Sequence, residues 1–226
     1  MTIDNTLPQI ISKGWKIKDF ARFGDKVYSD KAPLGSFIAV PIYFVISLFT
    51  KNLRITAFLV SLFTCGVLTA LTGVLIFRAS RFFTNSDFLR AAVALGYGLG
   101  SMALFYGAVF FSHAITAFFC TASFYFFCQI KSRGGFETRP CLYALAGACA
   151  ALAPASEYTA AVSSVCLLIY GAEKNKKYIL TIVSFLIALL PLLFYHYLLF
   201  GEPFTTPYRY SYLYTSFHEK AIYGIG

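Results

Sequence analysis

From Ala91 to Ile130 the chain runs through 40 consecutive positions without a Lys, Arg, Asp or Glu. As one helix at about 1.5 Å per residue this stretch would be about 60 Å long, twice the roughly 30 Å hydrocarbon core of a bilayer, so it must fold back on itself as two crossings. The turn is expected near Phe105 to His113. A soluble alternative fails on supply of polar surface: the 226 residues are 58% hydrophobic and 13% charged, more apolar surface than a domain of this size can hide from water. Long apolar runs without period-two alternation fit helices, which satisfy their own backbone groups in lipid, rather than a β-barrel. The expected fold is therefore all-α, a polytopic bundle of transmembrane helices.

The same length argument applies to the other runs. Residues 55–77 form an uncharged stretch of 23, enough for one span, and residues 178–200 form another with Pro191 inside it. Residues 140–170 hold one formal charge, Glu157, and are too long for one crossing and short for two, with Pro154 expected at the break. Residues 34–50 are apolar, but the run is only 17 long and contains Pro41. The count is about six spans plus an interfacial or seventh N-terminal helix. The expected organisation is a loop over residues 1–33, a transmembrane domain over 34–200 and a further loop over 201–226, in a chain read as a fragment truncated at both ends.

Basic residues fix the orientation. Arg78, Arg81 and Arg90, then Lys131, Arg133 and Arg139, then Lys174, Lys176 and Lys177 form three clusters separated by two-pass units. They face one side, while the turns near Phe110 and Pro154 carry no Lys or Arg. The positive-inside rule puts the clusters in the cytoplasm, and the turns and the tail after Phe200 outside. The net charge of +9 thus serves topology and headgroup contacts, and no motif points to nucleic acid. Lys13, Lys16 and Lys18 surround Trp15 and Phe20 in a segment expected to lie on a membrane surface. If residues 34–50 cross, the first 33 residues join the cytoplasmic clusters, which charge counting favours.

The six cysteines lie in apolar runs without CxxC spacing and read as small core residues. Gly96 and Gly100, at GxxxG spacing inside an uncharged helix, read as sites of close helix packing, not as a nucleotide loop.

The segment Tyr28 to Tyr43, "YSDKAPLGSFIAVPIY", resembles the juxtamembrane Lys-Pro-Pro-Leu segment in the first external loop of GT-C glycosyltransferases, the membrane enzymes related to protein O-mannosyltransferases and lipid A aminoarabinose transferases. Phe110-Phe111-Ser112-His113, "LAGACAALAPASEY" ending at Tyr158, and "GEPFTTPYRY" over 201–210 agree in order with features of that family. Ala32 stands where the pattern has its first proline, and the acidic pair that follows the family's first helix has no counterpart. The resemblance implies a polyprenyl-phosphate-linked sugar as donor, a lipid, glycan or protein acceptor, and transfer on the outer face of the cytoplasmic membrane. It also implies that residues 1–33 are external and that 34–50 do not cross, against the charge count. The family expectation is preferred, because the helix that would precede the loop in the family is absent and would have carried the orienting charge.

Glycosyl transfer from a lipid phosphate needs a base for the acceptor hydroxyl and positive charge for the departing phosphate. Asp4, Asp19, Asp25 and Asp30 are candidate bases or ligands of a divalent metal, the one cofactor the sequence leaves open. Lys31, at headgroup depth, is a candidate phosphate contact, or a snorkelling lysine. Glu157, a carboxylate within an apolar stretch, is a candidate acid or base by the cost of placing charge in a bilayer, unless Pro154 leaves it in water. His113 is a candidate for phosphate binding or proton transfer, and His196 a weaker one. Tyr158 is a candidate substrate contact. Tyr208, Tyr210, Tyr212 and Tyr214 alternate, so an extended tail would place them on one face to stack on a sugar, with Arg209 for a phosphate; an interfacial tyrosine belt is the competing explanation.

Two other functions remain open at this point. A transporter or flippase would use helices broken at Pro154 and Pro191 around Glu157, and a membrane scaffold would need none of these side chains.

Overall fold

The computed structural model describes residues 20–132 and 139–211. Asp4, Asp19, Trp15, Lys13, Lys16, Lys18, Arg133, Tyr212 and Tyr214 lie outside the described residues. The chain divides into two compact units: one is Met1–Ala32 with Pro191–Gly226, the other Pro33–Leu190.

The first unit opens with a hairpin, β1 (Phe20–Phe23) antiparallel to β2 (Lys26–Ser29), with Phe20 opposite Ser29 and Phe23 opposite Lys26. Gly24 supplies the turn, at φ +59°, a left-handed conformation that only glycine adopts without steric cost. The chain is mostly helical as expected, and the described part of the first loop adds a two-stranded ribbon to it. Ala21, fully buried, also bridges to Ser211. The tail reaches Ser211 through a 3₁₀ turn at Pro207–Tyr210. That turn corrects the extended tail, since Tyr208 and Tyr210 do not alternate along a strand. Phe23, Phe200 and Tyr210 form an aromatic cluster with ring centres 4.8–5.5 Å apart.

The second unit is helical. α1 (Leu34–Ser47) has 14 residues and contains Pro41. α2 (Leu53–Ser80) is a continuous 28-residue helix interrupted by one π turn at Leu62–Gly66. α3 (Asp87–Gly100) is capped by the Ser86 hydroxyl. α4 (Ala103–Ala108), α5 (Ser112–Ser132), α6 (Pro140–Ser156) and α7 (Ala161–Gly171) follow, with a 3₁₀ turn at Tyr158–Ala160 before α7. α8 (Tyr178–Phe200) begins in this unit, runs through Pro191, from which its residues belong to the first unit, and stops at Gly201, whose φ is +74°.

Three helices among the described residues, α2, α5 and α8, are long and apolar enough to cross a membrane, while α1, α6 and the Tyr158–Gly171 segment are shorter apolar helices. The uncharged run 91–130 does fold back, but its first leg is itself split between α3 and α4 at Ser101 and Met102.

The core of this unit is α6, whose Tyr143, Ala146, Ala150, Ala151 and Ala153 are fully buried. Its carbonyls receive hydroxyls from three neighbours: Ser123 of α5 donates to Ala146 at 2.9 Å, Ser164 of α7 to Ala150 at 2.6 Å, and Thr181 of α8 to Tyr143 at 3.1 Å. In a medium without water, small residues that allow close approach and hydroxyls that reach across it are the means of holding helices together. The Ser164 bond also explains why Pro154 does not end α6. A proline has no N–H for the carbonyl four residues earlier, here Ala150, and Ser164 supplies the missing donor. The expected break at Pro154 is thereby moved to Glu157, which is extended at φ −155°, ψ 119°.

Two further expectations change. Gly96, Gly98 and Gly100 meet nothing within 4 Å of a Cβ, so they make no close helix contact among the described residues. Gly98 instead lines, with Gly73, Leu62 and Phe77, an apolar cavity of about 740 Å³ between α2 and α3. Close contacts fall at other glycines, among them Gly147 against the Thr181 backbone of α8 and Gly66, where a Cβ would lie 3.3 Å from the Gly107 carbonyl oxygen. Of the cysteines, Cys65 and Cys128 are buried as expected, whereas Cys141 and Cys166 lie on the surface of the chain.

Candidate functional site

Each unit holds one group of the sequence-derived candidates. In the second unit, Glu157 stands at the break between α6 and the 3₁₀ turn, and His113 in the first turn of α5. They meet: His113 Nδ1 is 2.6 Å from Glu157 Oε2. A carboxylate only accepts, so Nδ1 carries the proton. The hydroxyls of Ser112 and Thr159 donate to the same carboxylate at 3.4 and 3.3 Å, one to each oxygen. Behind them Thr116 Oγ1 lies 2.7 Å from Ser156 Oγ and donates to the Ser112 carbonyl at 2.9 Å, tying the start of α5 to the end of α6. Edge-on packing against Tyr106, with ring centres 4.6 Å apart, and contact with Phe111 at 5.1 Å limit the tilt of the imidazole. The histidine side chain is 38% exposed and the glutamate 20%, so the pair is neither sealed in the core nor free in solvent.

This pair joins the two turns that carry no Lys or Arg. At the far end of α5, Lys131 Nζ sits 4.9 Å from the centre of the Tyr170 ring at the end of α7. Near that end, Phe82, beside Arg81, packs on Tyr125 at 6.3 Å. Tyr143, near the start of α6, donates its hydroxyl to Glu173 just after α7. The 21 residues of α5 span about 31 Å at 1.5 Å per residue, one hydrocarbon thickness. Within this unit the His113–Glu157 pair therefore lies at one end of α5, and Lys131 and Arg81 lie near the other.

In the first unit, Asp30 follows β2 directly and is 2% exposed. Lys31 Nζ lies 3.5 Å from its Oδ1, and Ser211 donates to its Oδ2 at 3.3 Å. Lys31 itself is 49% exposed. Arg209 is exposed, 3.9 Å from Glu202, whose carboxylate also takes the Thr205 hydroxyl at 2.6 Å. Tyr208 and Tyr210 are half-buried, and Tyr210 belongs to the aromatic cluster instead of an open stacking face. His196 is buried and donates from Nδ1 to the Pro203 carbonyl at 3.2 Å, a structural bond that holds the chain after Gly201. Burial lies behind that role: an imidazole inside the protein keeps its one donor satisfied. Asp25 is exposed at the hairpin turn.

Tyr158 is half-buried beside Glu157. No group of three or more metal-ligating side chains occurs among the described residues. Thr116, Ser156 and Thr159 were not apparent as site residues in the sequence. A signal was present, since each lies within one helical turn of His113 or Glu157, where a hydroxyl can serve a carboxylate that must otherwise be hydrated. Comparison with protein-family models, with characterised proteins and with solved structures finds no significant match to this chain.

Proposed function

We propose that the chain belongs to a GT-C type glycosyltransferase, moving a sugar from a polyprenyl-phosphate donor to a hydroxyl of a lipid, glycan or protein at the outer face of the cytoplasmic membrane. The observation that carries this reading is the length of α1. Its 14 residues reach about 21 Å, short of the roughly 30 Å core. A helix of that length can lie along the interface, the disposition the resemblance of the Tyr28–Tyr43 segment calls for. Lys31, half-exposed, then enters at headgroup depth, where an ammonium meets a phosphate.

In the reaction the acceptor oxygen forms a bond to the anomeric carbon, the bond from that carbon to the phosphate oxygen breaks, and the electron pair leaves on polyprenyl phosphate. Lys31 would stabilise that charge as it develops. Asp30, buried and already bound by Lys31 and Ser211, acts in this reading by fixing the lysine. The transporter alternative would use the helix break beside Glu157, which falls just after Pro154, while Pro191 lies inside a helix that runs on past it and supplies no half-helix end.

The test uses membranes containing the full-length protein and undecaprenyl phosphate carrying [14C]glucose, [14C]mannose or [14C]galactose. Label should leave the donor in a protein-dependent way for at least one sugar. Lys31→Ala should then lower kcat/KM for that donor about tenfold to hundredfold, the worth of one hydrogen bond to a charged group at ~1.5–3 kcal/mol. No transfer from any donor, or full transfer in the lysine variant, would contradict the assignment in turn of the activity and of Lys31.

A further inference from the structure

We infer that His113 and Glu157 form a proton-accepting dyad, in which His113 Nε2 takes the proton of a substrate hydroxyl and Glu157 is the positioning residue. The inference rests on the glycosyl-transfer reading for the identity of that hydroxyl, and on the structure for everything else. With Nδ1 protonated and directed at Glu157 Oε2 at 2.6 Å, the neutral ring carries its lone pair on Nε2. That nitrogen has no hydrogen-bond partner among the described residues, on a side chain 38% exposed.

A histidine whose distal nitrogen is open while its proximal N–H is held by a carboxylate is the arrangement that accepts a proton efficiently: the carboxylate selects the tautomer and stabilises the imidazolium formed. Glu157 is suited to hold and not to react. Oε2 is occupied by His113 and Ser112, and Oε1 receives Thr159. The packing of the imidazole against Tyr106 and Phe111 holds the orientation that transfer requires.

The step balances without an added reactant. The proton of the acceptor O–H moves to Nε2 as the oxygen bonds to the anomeric carbon, the carbon–oxygen bond to phosphate breaks, and its electron pair departs with the phosphate. The imidazolium later loses its proton to water.

Two measurements on the full-length protein test the dyad. In the transfer assay with the labelled undecaprenyl-phosphate sugars, His113→Ala should lower kcat by about 10²–10⁴, leave the donor KM within about twofold, and recover part of its rate with added imidazole. Glu157→Gln should lower kcat about a hundredfold or more by disturbing the tautomer. Independently of activity, 15N NMR of histidine-labelled protein should show His113 protonated on Nδ1 in the wild type and a mixed or inverted tautomer in Glu157→Gln. Unchanged kcat in His113→Ala, or a wild-type Nε2–H tautomer, overturns the dyad. If the wild type transfers no sugar, the glycosyltransferase reading fails by itself, and the tautomer alone decides the dyad: Nδ1–H supports it and Nε2–H refutes it.

Discussion

Replacing Gly147 with alanine should destabilise the protein more than any comparable change at the exposed glycines, because α6 and α8 touch there through backbone. A Cβ built on Gly147 lies 2.9 Å from the Thr181 carbonyl carbon, and closer still to the Thr181 oxygen and the Ser184 hydroxyl. Real Cβ atoms do not approach that closely, and the obstacle is main chain, which cannot rotate away as a side chain would. The helices must separate by roughly an ångström, an overpacking cost of about 1–3 kcal/mol. Separation also stretches the bond from Thr181 Oγ1 to the Tyr143 carbonyl, now 3.1 Å, for about 1 kcal/mol more. The expected total of about 2–4 kcal/mol corresponds to a drop in Tm on the order of 5–10 °C for a chain of this size. The assay is thermal unfolding in detergent, read by the loss of the monodisperse peak in size-exclusion chromatography. Gly96→Ala is the control of opposite sign: its Cβ meets nothing within 4 Å, and removing a helix-interior glycine should raise stability by about 0.5–1 kcal/mol. Equal Tm values for Gly147→Ala and the wild type would refute the close α6–α8 contact and with it the central place of α6.

Two more changes probe the same helix. Ser164→Ala should cost about 1–3 kcal/mol while Pro154 is present, because it leaves the Ala150 carbonyl without a donor, and clearly less in a Pro154→Ala background, where the substituted residue supplies its own backbone N–H; a double-mutant cycle on Tm checks the coupling. Tyr143→Phe removes the hydroxyl donated to Glu173, and thermal unfolding should show a loss of about 1–2 kcal/mol, in the lower part of the range for bonds to charged groups because Glu173 is only half-buried.

The sequence made the helix-forming runs legible wherever length and charge spoke together. The forty uncharged residues had to turn back, and the two turns without Lys or Arg do carry the pair that meets, His113 and Glu157. What escaped was set by partners distant in sequence. The end of α6 shifted from Pro154 to Glu157 because a hydroxyl 14 residues away from Ala150, on α7, replaced the lost N–H. The hairpin of residues 20–29 was hidden by its flanking lysines and Trp15, which suggested an interfacial segment, although Gly24-Asp25 between two short alternating stretches is a turn signal in its own right. The tail tyrosines read as an alternating face, but Pro207 begins a 3₁₀ turn that places Tyr210 against Phe23 and Phe200. For the site, residue types singled out Glu157 and His113 separately, but only the fold could pair them, and it surrounds Asp30 with Lys31 and Ser211 in a way no local pattern encodes.

The claim that stands behind the rest is that Lys31 lies on the outer side of the membrane, with α1 along the interface. The measurement is labelling of Lys31→Cys in the full-length protein, with its native cysteines replaced by serine, by a membrane-impermeant maleimide added to intact cells. The account predicts rapid labelling from outside, without prior permeabilisation. Labelling only after the membrane is opened would put Lys31 in the cytoplasm, make residues 34–50 a crossing segment, and contradict transfer from a lipid phosphate at the outer face.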